Sequence, residues 1–196
     1  MKEASPPVNN PTPRPPRVPE SVAAGVYATA MIAFHTNEEF VLDFLNGLAG
    51  PVRLVARVLL HPGHAKRLTR ALVENLQRYE QRFGALPPPQ QSEASRALNM
   101  QEFYGQLTVP DAIGAGVYAN GVLIRHSREE FVLDFLTSLP PVPVVTARVT
   151  VSPGHVRRLI NALEARVRLY KKACGGITEL PPETGDSTDF PRFSLS

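Results

Sequence analysis

The chain has 196 residues, a formal net charge of +3 at neutral pH and 43% hydrophobic residues, enough for a folded core. No stretch approaches the roughly 18 consecutive apolar residues that a membrane span needs, so a chain of one or two soluble domains is expected. The single cysteine, Cys174, excludes an internal disulfide and a cysteine-based zinc site within one chain. A cytoplasmic location and no membrane partner follow as expectations.

Proline marks the boundaries of the folded parts. Seven of the 20 prolines lie in the first 20 residues, where almost no large apolar residue could be buried. Proline runs at 87–89 and 181–182 mark two further breaks. The predicted organisation is a disordered proline-rich tail (1–20), repeat one (21–85), a linker with room for a short helix at 94–107 (86–115), repeat two (116–176) and a disordered acidic tail (177–196).

An internal repeat is the most informative feature of the sequence. Residues 25–84 align without a gap on residues 116–175, at a constant offset of 91, with 26 identities in 60 positions. The shared blocks include Gly-Val-Tyr-Ala, Glu-Glu-Phe-Val-Leu-Asp-Phe-Leu, Ala-Arg-Val and Pro-Gly-His. Such identity predicts two copies of one structural unit.

Each repeat begins with a predicted strand, residues 26–34 and 117–125, which is rich in β-branched and apolar residues. The third segment of each repeat alternates with period two and is also predicted as a strand. Its core-facing residues are expected to be Leu54, Ala56, Val58 and Leu60 in the first copy and Val145, Ala147, Val149 and Val151 in the second.

The middle segments, residues 37–48 and 128–139, allow two interpretations. Thr36 with Glu39 three residues later matches a helix capping box, and apolar residues from Phe40 onwards recur at helical spacing. The same residues also alternate with period two, and a short turn would form a hairpin with the first strand. The strand is favoured.

A long helix is predicted to end each repeat and to lie on the sheet. Ser152 is placed to cap the second helix, with Pro153 at the first helical position and glycine at the end. One apolar stripe runs along each helix at helical spacing. The stripes are Ala65, Leu68, Leu72, Leu76, Tyr79 and Phe83 in the first copy, and Val156, Leu159, Ile160, Leu163, Val167 and Tyr170 in the second.

The predicted fold class is α+β, with two tandem repeats, each a three-stranded antiparallel sheet followed by one long helix. A unit of about 60 residues buries little surface alone. The two copies are therefore expected to pack together as an intramolecular pseudo-two-fold dimer, and a higher oligomer is compatible with this arrangement.

The motifs of repeat two resemble a family of small bacterial proteins of unknown function, DUF3467. They are Tyr-Ala-Asn (118–120), His-Ser-x-Glu-Glu-Phe-x-Leu-Asp-Phe (126–135), Ala-Arg-Val-x-x-Ser-Pro-x-His-x-x-Arg-Leu (147–159) and Ala-Leu (162–163). Repeat one departs at Thr29 and at His61, which replaces a serine. The resemblance implies a tandem version of the family unit and implies no activity. A likeness to SecB-type chaperones is an analogy of fold alone.

A histidine ends the first strand of each repeat and an aspartate lies in the next segment. The pairs are His35 with Asp43 and His126 with Asp134. Such a pair could act as a general base or as half of a metal site. The favoured alternative is that each aspartate pairs across strands with the arginine 14 residues later, Arg57 or Arg148. No nucleophile or third ligand stands at a suitable spacing, so no enzyme, metal or cofactor is expected.

Two further sets of residues could bind an anion or a partner. His64 and His155 lie in the first turn of the long helices, with Arg67 and Arg158 one turn later, where free N–H groups could receive a phosphate or carboxylate. The second helix also carries a basic set that could contact nucleic acid. It consists of Arg157, Arg158, Arg166, Arg168, Lys171 and Lys172. Solvated helix faces are the favoured interpretation of both sets.

The sequence thus favours a non-catalytic binding or assembly module whose partner is a protein, recognised through a sheet edge or an exposed strand face. Val55 and Leu59 motivate this prediction, because they are apolar on the strand face that should point away from the helix. Nucleic-acid binding through the basic helix of repeat two and a SecB-like chaperone role are the alternatives.

Overall fold

The computed structural model describes residues 15–88, 100–138 and 142–178, which form a mixed α+β structure. The helices are α1 (Glu20–Ala23), α2 (Pro62–Phe83), α3 (Met100–Gln106), α4 (Asp111–Gly114) and α5 (Pro153–Cys174). The strands are β1 (Val26–Tyr27), β2 (Ala30–His35), β3 (Phe40–Asn46), β4 (Arg53–Leu60), β5 (Val117–Tyr118), β6 (Gly121–His126), β7 (Phe131–Thr137) and β8 (Val144–Val151).

The strands form two four-stranded sheets, in the orders β2-β3-β4-β5 and β1-β8-β7-β6. Three antiparallel strands of each sheet come from one repeat, and the fourth comes from the other repeat. Strand β5 pairs in parallel with β4, and β1 pairs in parallel with β8. The prediction of three-stranded sheets was therefore incomplete, because each repeat donates a two-residue strand to its neighbour.

The predicted first strand is interrupted in both repeats. The backbone N–H of Ala28 donates to Thr150 of one sheet, and the N–H of Thr29 donates to Leu45 of the other. The chain therefore passes from one sheet to the other between two consecutive residues. Composition could not reveal this crossing, since both parts of the segment have the residue types of a strand.

The middle segments are strands β3 and β7, as favoured from the sequence. The capping-box residues form a hairpin turn instead of a helix start. Thr36 Oγ1 accepts hydrogen bonds from the backbone N–H groups of Glu38 (3.1 Å) and Glu39 (3.0 Å), and Ser127 does the same in repeat two. The same local chemistry thus closes a turn between two strands.

The two long helices have the predicted apolar stripes, but each packs against the other repeat. Helix α2 contacts β6, α5 contacts β2, and the two helices contact each other. Ser152 occupies the N-cap position of α5 without a side-chain cap bond, while His61 Nδ1 accepts from the backbone N–H of Gly63 at the start of α2. Helix α2 also contacts β4 of its own repeat.

One hydrophobic core joins both repeats. Phe44 and Phe135, which occupy equivalent positions, lie with ring centroids 5.6 Å apart. At the far ends of the helices, the hydroxyl of Tyr79 donates to the carbonyl of Arg128 and that of Tyr170 donates to the carbonyl of Asn37, both at 2.8 Å. Each long helix is therefore fixed to the hairpin turn of the opposite repeat.

The flanking segments are more ordered than the predicted boundaries imply. Arg17, in the predicted tail, forms a bridge with Val144, and α1 begins at Glu20. The equivalent bridge joins Thr108 to Arg53. In the linker, the predicted helix at 94–107 is observed at Met100–Gln106, while residues 89–99 lie outside the described residues, as do most of the two tails.

We predict that Tyr79→Phe and Tyr170→Phe each lower the free energy of unfolding by about 0.5–1.5 kcal/mol, the usual net value of one such hydrogen bond. Urea unfolding of the full chain measures this. Tyr27→Phe is the matched control, because Tyr27 is 40% exposed. Equal stability of Tyr79→Phe and the parent chain would show that the bond to the opposite hairpin contributes nothing.

Candidate functional site

A buried aspartate and a cross-strand arginine form an ion pair in each repeat. Asp43 is fully buried, and Arg57 Nε and Nη2 donate to its two carboxylate oxygens, each at 2.7 Å. Asp134 is 3% exposed and receives the same two bonds from Arg148, at 2.6 and 2.9 Å. The favoured sequence prediction for these residues is correct, and its basis is register, since each aspartate lies directly opposite its arginine.

The third bond of each arginine crosses to the other repeat. Arg57 Nη1 donates to the carbonyl of Gly114 at 2.8 Å, and Arg148 Nη1 donates to the carbonyl of Ala23 at 2.9 Å. Hydrogen bonds to the carboxylates raise the pKa of both arginines, against the opposing effect of burial. Each guanidinium is therefore a fixed cation that holds the end of α4 or α1 beside the adjoining strand.

The two pairs differ in their third partner. The Tyr104 hydroxyl of α3 donates to Asp43 at 2.6 Å, and burial together with this bond raises the pKa of Tyr104. In repeat two, Arg125 donates to Asp134 at 2.7 Å. The position equivalent to Arg125 is Phe34, which meets Tyr104 edge-on with ring centroids 6.3 Å apart.

A groove of about 480 Å³ lies between the two repeats, beside these arginines. Apart from Ala24, its lining residues come in equivalent pairs that are 91 positions apart. They belong to α1 and α4, to the segments that contain β1 and β5, and to β4 and β8. They include Val22 with Ile113, Val26 with Val117, Val55 with Thr146, Ala56 with Ala147, and Arg57 with Arg148. The volume falls within the range of sites that accept a small molecule or a few side chains.

The groove is mainly apolar and electrically balanced. Both arginine heads that line it are neutralised by their buried aspartates. Ser21 and Thr146 supply the only side-chain hydroxyls among the described lining residues, and no carboxylate or imidazole lines the groove beside them. The arrangement is suited to holding an apolar group, and it presents no nucleophile with an adjacent base.

Sequence reasoning found Arg57, Arg148 and Val55 but missed the groove as a whole. The internal repeat could have revealed it, because the repeat extends further towards the N-terminus than residue 25. Residues 19–25 (PESVAAG) are similar to residues 110–116 (PDAIGAG) at the same offset of 91. Tyr104 had no such signal, because it belongs to the linker. Leu59 and Val55 are both half-buried. The backbone at Gly116 of the other repeat approaches Leu59, whereas Val55 lines the groove.

The histidines at the ends of β2 and β6 do not meet the aspartates. His35 lies opposite Phe40 while Asp43 lies opposite Ile32, so the two groups are three residues apart along the strand and point to opposite faces. The ring of His126 contacts Tyr79 and Phe131 instead. The His/Asp alternative is wrong, and no cluster of three or more potential metal ligands occurs within the described ranges.

The predicted anion site at the start of α2 lies beside a narrow crevice. His64 and Arg67 line a space of about 20 Å³ with Asn120, Val122 and other residues of both repeats, which is room for about one water molecule. Burial, with repulsion by Arg67 and His61, lowers the pKa of His64 from its ordinary 6.5 to about 4. In repeat two, burial and Arg158 lower the pKa of His155, whose Nδ1 lies within hydrogen-bonding distance of Ser152 Oγ. Anion binding at these places stays a prediction, and a neutral imidazole would add no positive charge to it.

The basic set of α5 is partly engaged in internal contacts. Arg157 forms an ion pair with Glu80 of α2 and donates to the carbonyls of Leu86 (3.3 Å) and Pro87 (3.4 Å). Arg168 lies 3.9 Å from Glu164 on the same helix, and Arg158 is exposed. The predicted binding residues therefore fall into three places: the groove, the starts of the two long helices and the surface of α5.

The arrangement of two interlocked copies agrees with what comparison with known proteins finds. A family model described as "Protein of unknown function (DUF3467)" matches residues 2–87 and again residues 90–179. The chain belongs to this family. No curated protein and no solved structure matches the chain. In the parts of the chain that the structure describes, no helix is long and apolar enough to cross a membrane.

The double match shows that this DUF3467 chain carries two copies of the family unit, as the internal repeat predicted. The second match begins at residue 90 and includes the linker as well as repeat two. Helix α3 therefore lies within the second family unit, although it packs against the sheet of the first.

We predict that Asp43→Asn and Asp134→Asn each destabilise the chain by about 3 kcal/mol or more, because loss of one partner leaves a largely buried guanidinium without its counter-charge. Urea unfolding followed by circular dichroism measures the change. Asp111→Asn, at an exposed position of α4, is the control. A loss below about 1 kcal/mol, the range of exposed ion pairs, would contradict the structural role of the pair.

We predict that stability falls as the pH is lowered from 6.5 to 4, in part because of His64. Its folded pKa is depressed, so in this range the unfolded state binds a proton that the folded state does not. The neutral His64 therefore costs no stability above pH 6.5. Below that pH the folded state becomes less stable relative to the unfolded state, and this loss is largest near pH 4. Urea unfolding across this interval should show a shallower pH dependence for His64→Gln than for the parent chain, and identical slopes would rule out the contribution.

Proposed function

We propose that this DUF3467 chain is a non-catalytic binding module that takes an apolar segment of a partner protein into the groove between its repeats. The observation that carries the proposal is the groove itself, an apolar space of about 480 Å³ whose flanking charges are internally neutralised. An apolar ligand group therefore meets no unpaired charge on entering it.

One of the two strand residues that motivated the binding prediction, Val55, lines the groove, which supports the proposal. Val55 and Thr146 occupy equivalent positions on β4 and β8, and both line it. The short helices α1 and α4 form the rest of the wall and are fixed by the arginine bonds to Ala23 and Gly114. A site built on strands and on anchored helix ends is largely pre-formed, so little conformational entropy opposes binding.

The arrangement suggests how such a module arose. We propose that the two repeats pack as a pseudo-two-fold dimer and that the chain is a fused form of a self-pairing unit. The reciprocal pairs β4 with β5 and β8 with β1, and the equivalent bonds of Tyr79 and Tyr170, support this. The bacterial cytoplasmic location stays a prediction from the sequence.

Protein binding is favoured over the two alternatives. Arg157 and Arg168 of α5 already have acidic partners, which leaves a smaller basic surface for phosphates than the sequence alone suggests. A SecB-like chaperone would need a long apolar groove, whereas the observed groove has the volume of a compact ligand site.

The test blocks the groove without removing a core contact. Ala112 is exposed and lines the groove, so Ala112→Trp should fill it, while Ala173→Trp, at an exposed position of α5, is the matched control. Tagged full-length chains are used to recover partners from the native lysate with and without nuclease. The proposal expects a protein recovered in fixed ratio by the parent chain and the control but lost with Ala112→Trp.

Two results would contradict this proposal. Recovery of the same protein by Ala112→Trp would place its binding outside the groove. Recovery of nuclease-sensitive material alone, lost when Arg158 and Lys172 are replaced by glutamine, would assign the function to the basic surface of α5. Unchanged unfolding transitions of both tryptophan variants are required for the comparison.

A further inference from the structure

The linker helix α3 covers the outer face of the first sheet. Phe103, Tyr104 and Leu107 pack with a small apolar cluster on that face. The other members of the cluster are Ile32, Leu45, Leu54 and Ile113. Tyr104 also completes the hydrogen bonding of Asp43. A helix with two adjacent aromatic residues thus closes one face of repeat one.

The equivalent face of repeat two has no such cover among the described residues. The offset of 91 places Leu123, Arg125, Val132, Leu136 and Val145 at the positions of Ile32, Phe34, Val41, Leu45 and Leu54. No second apolar cluster forms there within the described ranges. Val132 is half-buried, whereas Val41 is only 8% exposed. Leu136 and Val145 are buried, as are their counterparts Leu45 and Leu54, so the difference lies at the end of the face that carries Val132.

The positions at the offset of 91 do not supply a second segment of the α3 type for this face. The positions equivalent to Phe103, Tyr104 and Leu107 are Thr12, Pro13 and Pro16. The N-terminal segment therefore lacks both aromatic anchors and the leucine that hold α3 in place.

Charge also distinguishes the two faces. Asp43 is balanced by one arginine, and its other partner, Tyr104, is neutral. Asp134 is shared by Arg148 and Arg125, so these three groups sum to one positive charge. The side chain of Arg125 is 62% exposed. The face of repeat two thus combines two half-buried apolar side chains, Leu123 and Val132, with an accessible cation.

We propose that the outer face of repeat two is a docking site for a helical segment of a partner protein that carries a carboxylate next to an aromatic side chain. Helix α3 shows that this scaffold accepts a helix with two adjacent aromatic residues, Phe103 and Tyr104. Its exposed Glu102 places a carboxylate next to them. On repeat two, the carboxylate would pair with Arg125 and the aromatic ring would lie over Leu123 and Val132. This site is separate from the groove and does not depend on what the groove binds.

The direct test uses a fluorescent peptide with the sequence of residues 100–109 (MQEFYGQLTV) and the full-length protein, with fluorescence anisotropy as the readout. Saturable binding is expected, and Arg125→Glu should weaken it about tenfold or more because attraction is replaced by repulsion. Arg168→Glu is the matched control, because that side chain is 70% exposed on α5. A peptide in which alanine replaces both aromatic residues should bind far more weakly.

Two outcomes of this titration would overturn the proposal. Absence of saturable binding would show that the face does not accept such a helix. Equal affinity of Arg125→Glu and the parent chain would show that the peptide binds elsewhere, for example by replacing α3 on repeat one. Neither result bears on the groove, because Ala112→Trp tests that site independently.

A second test asks whether the face is open in the free chain. Leu123 and Ile32 lie opposite Asp134 and Asp43, so both point to the outer face. In a Cys174→Ser chain, Leu123→Cys should react with a thiol reagent faster than Ile32→Cys, which α3 covers. Equally slow reaction at both positions would show that the chain's own residues cover the face, and the proposal would fail.

Discussion

The bidentate pair between a buried aspartate and a cross-strand arginine is the interaction on which the arrangement of the two repeats depends. A carboxylate buried as completely as Asp43 is tolerated only with a matched and hydrogen-bonded partner, so the orientation of Arg57 is fixed. The remaining N–H groups of that fixed guanidinium then select the carbonyl of Gly114 in the segment that leads into the other repeat. The arginine that neutralises the aspartate of one strand thus also binds the backbone of the other repeat.

The same contact explains why the groove and the shared core occur together. Anchoring α1 and α4 places β1 and β5 beside β8 and β4, which adds a fourth strand to each sheet and brings the copies face to face. The core can then form across the junction, as the contact of Phe44 with Phe135 shows. A unit of about 60 residues gains by this sharing the buried area that it lacks alone.

The parts of the fold that could be predicted from sequence are those set by local pattern. Alternation around Ala56 and Val58 identified the third strand, the apolar stripe through Leu68 and Leu72 identified the helix, and a spacing of 14 identified the ion pair. The crossing at Ala28 could not be predicted, because its hydrogen-bond partner, Thr150, belongs to the other copy. Tyr104 was missed for a related reason, since no internal copy of it exists for comparison.

The exchange of short strands also determines when the molecule can fold during its synthesis. Ala23 and its partner Arg148 are 125 positions apart, and β1 pairs with β8, which belongs to the second repeat and is synthesised after the whole of the first. Repeat one therefore leaves the ribosome with an incomplete sheet and with part of its apolar surface uncovered until α5 has emerged. Long-range closure of this kind is slow and exposes edges to aggregation in the meantime. The presence of both copies in one chain limits that interval, because the missing partner is always supplied by the same chain.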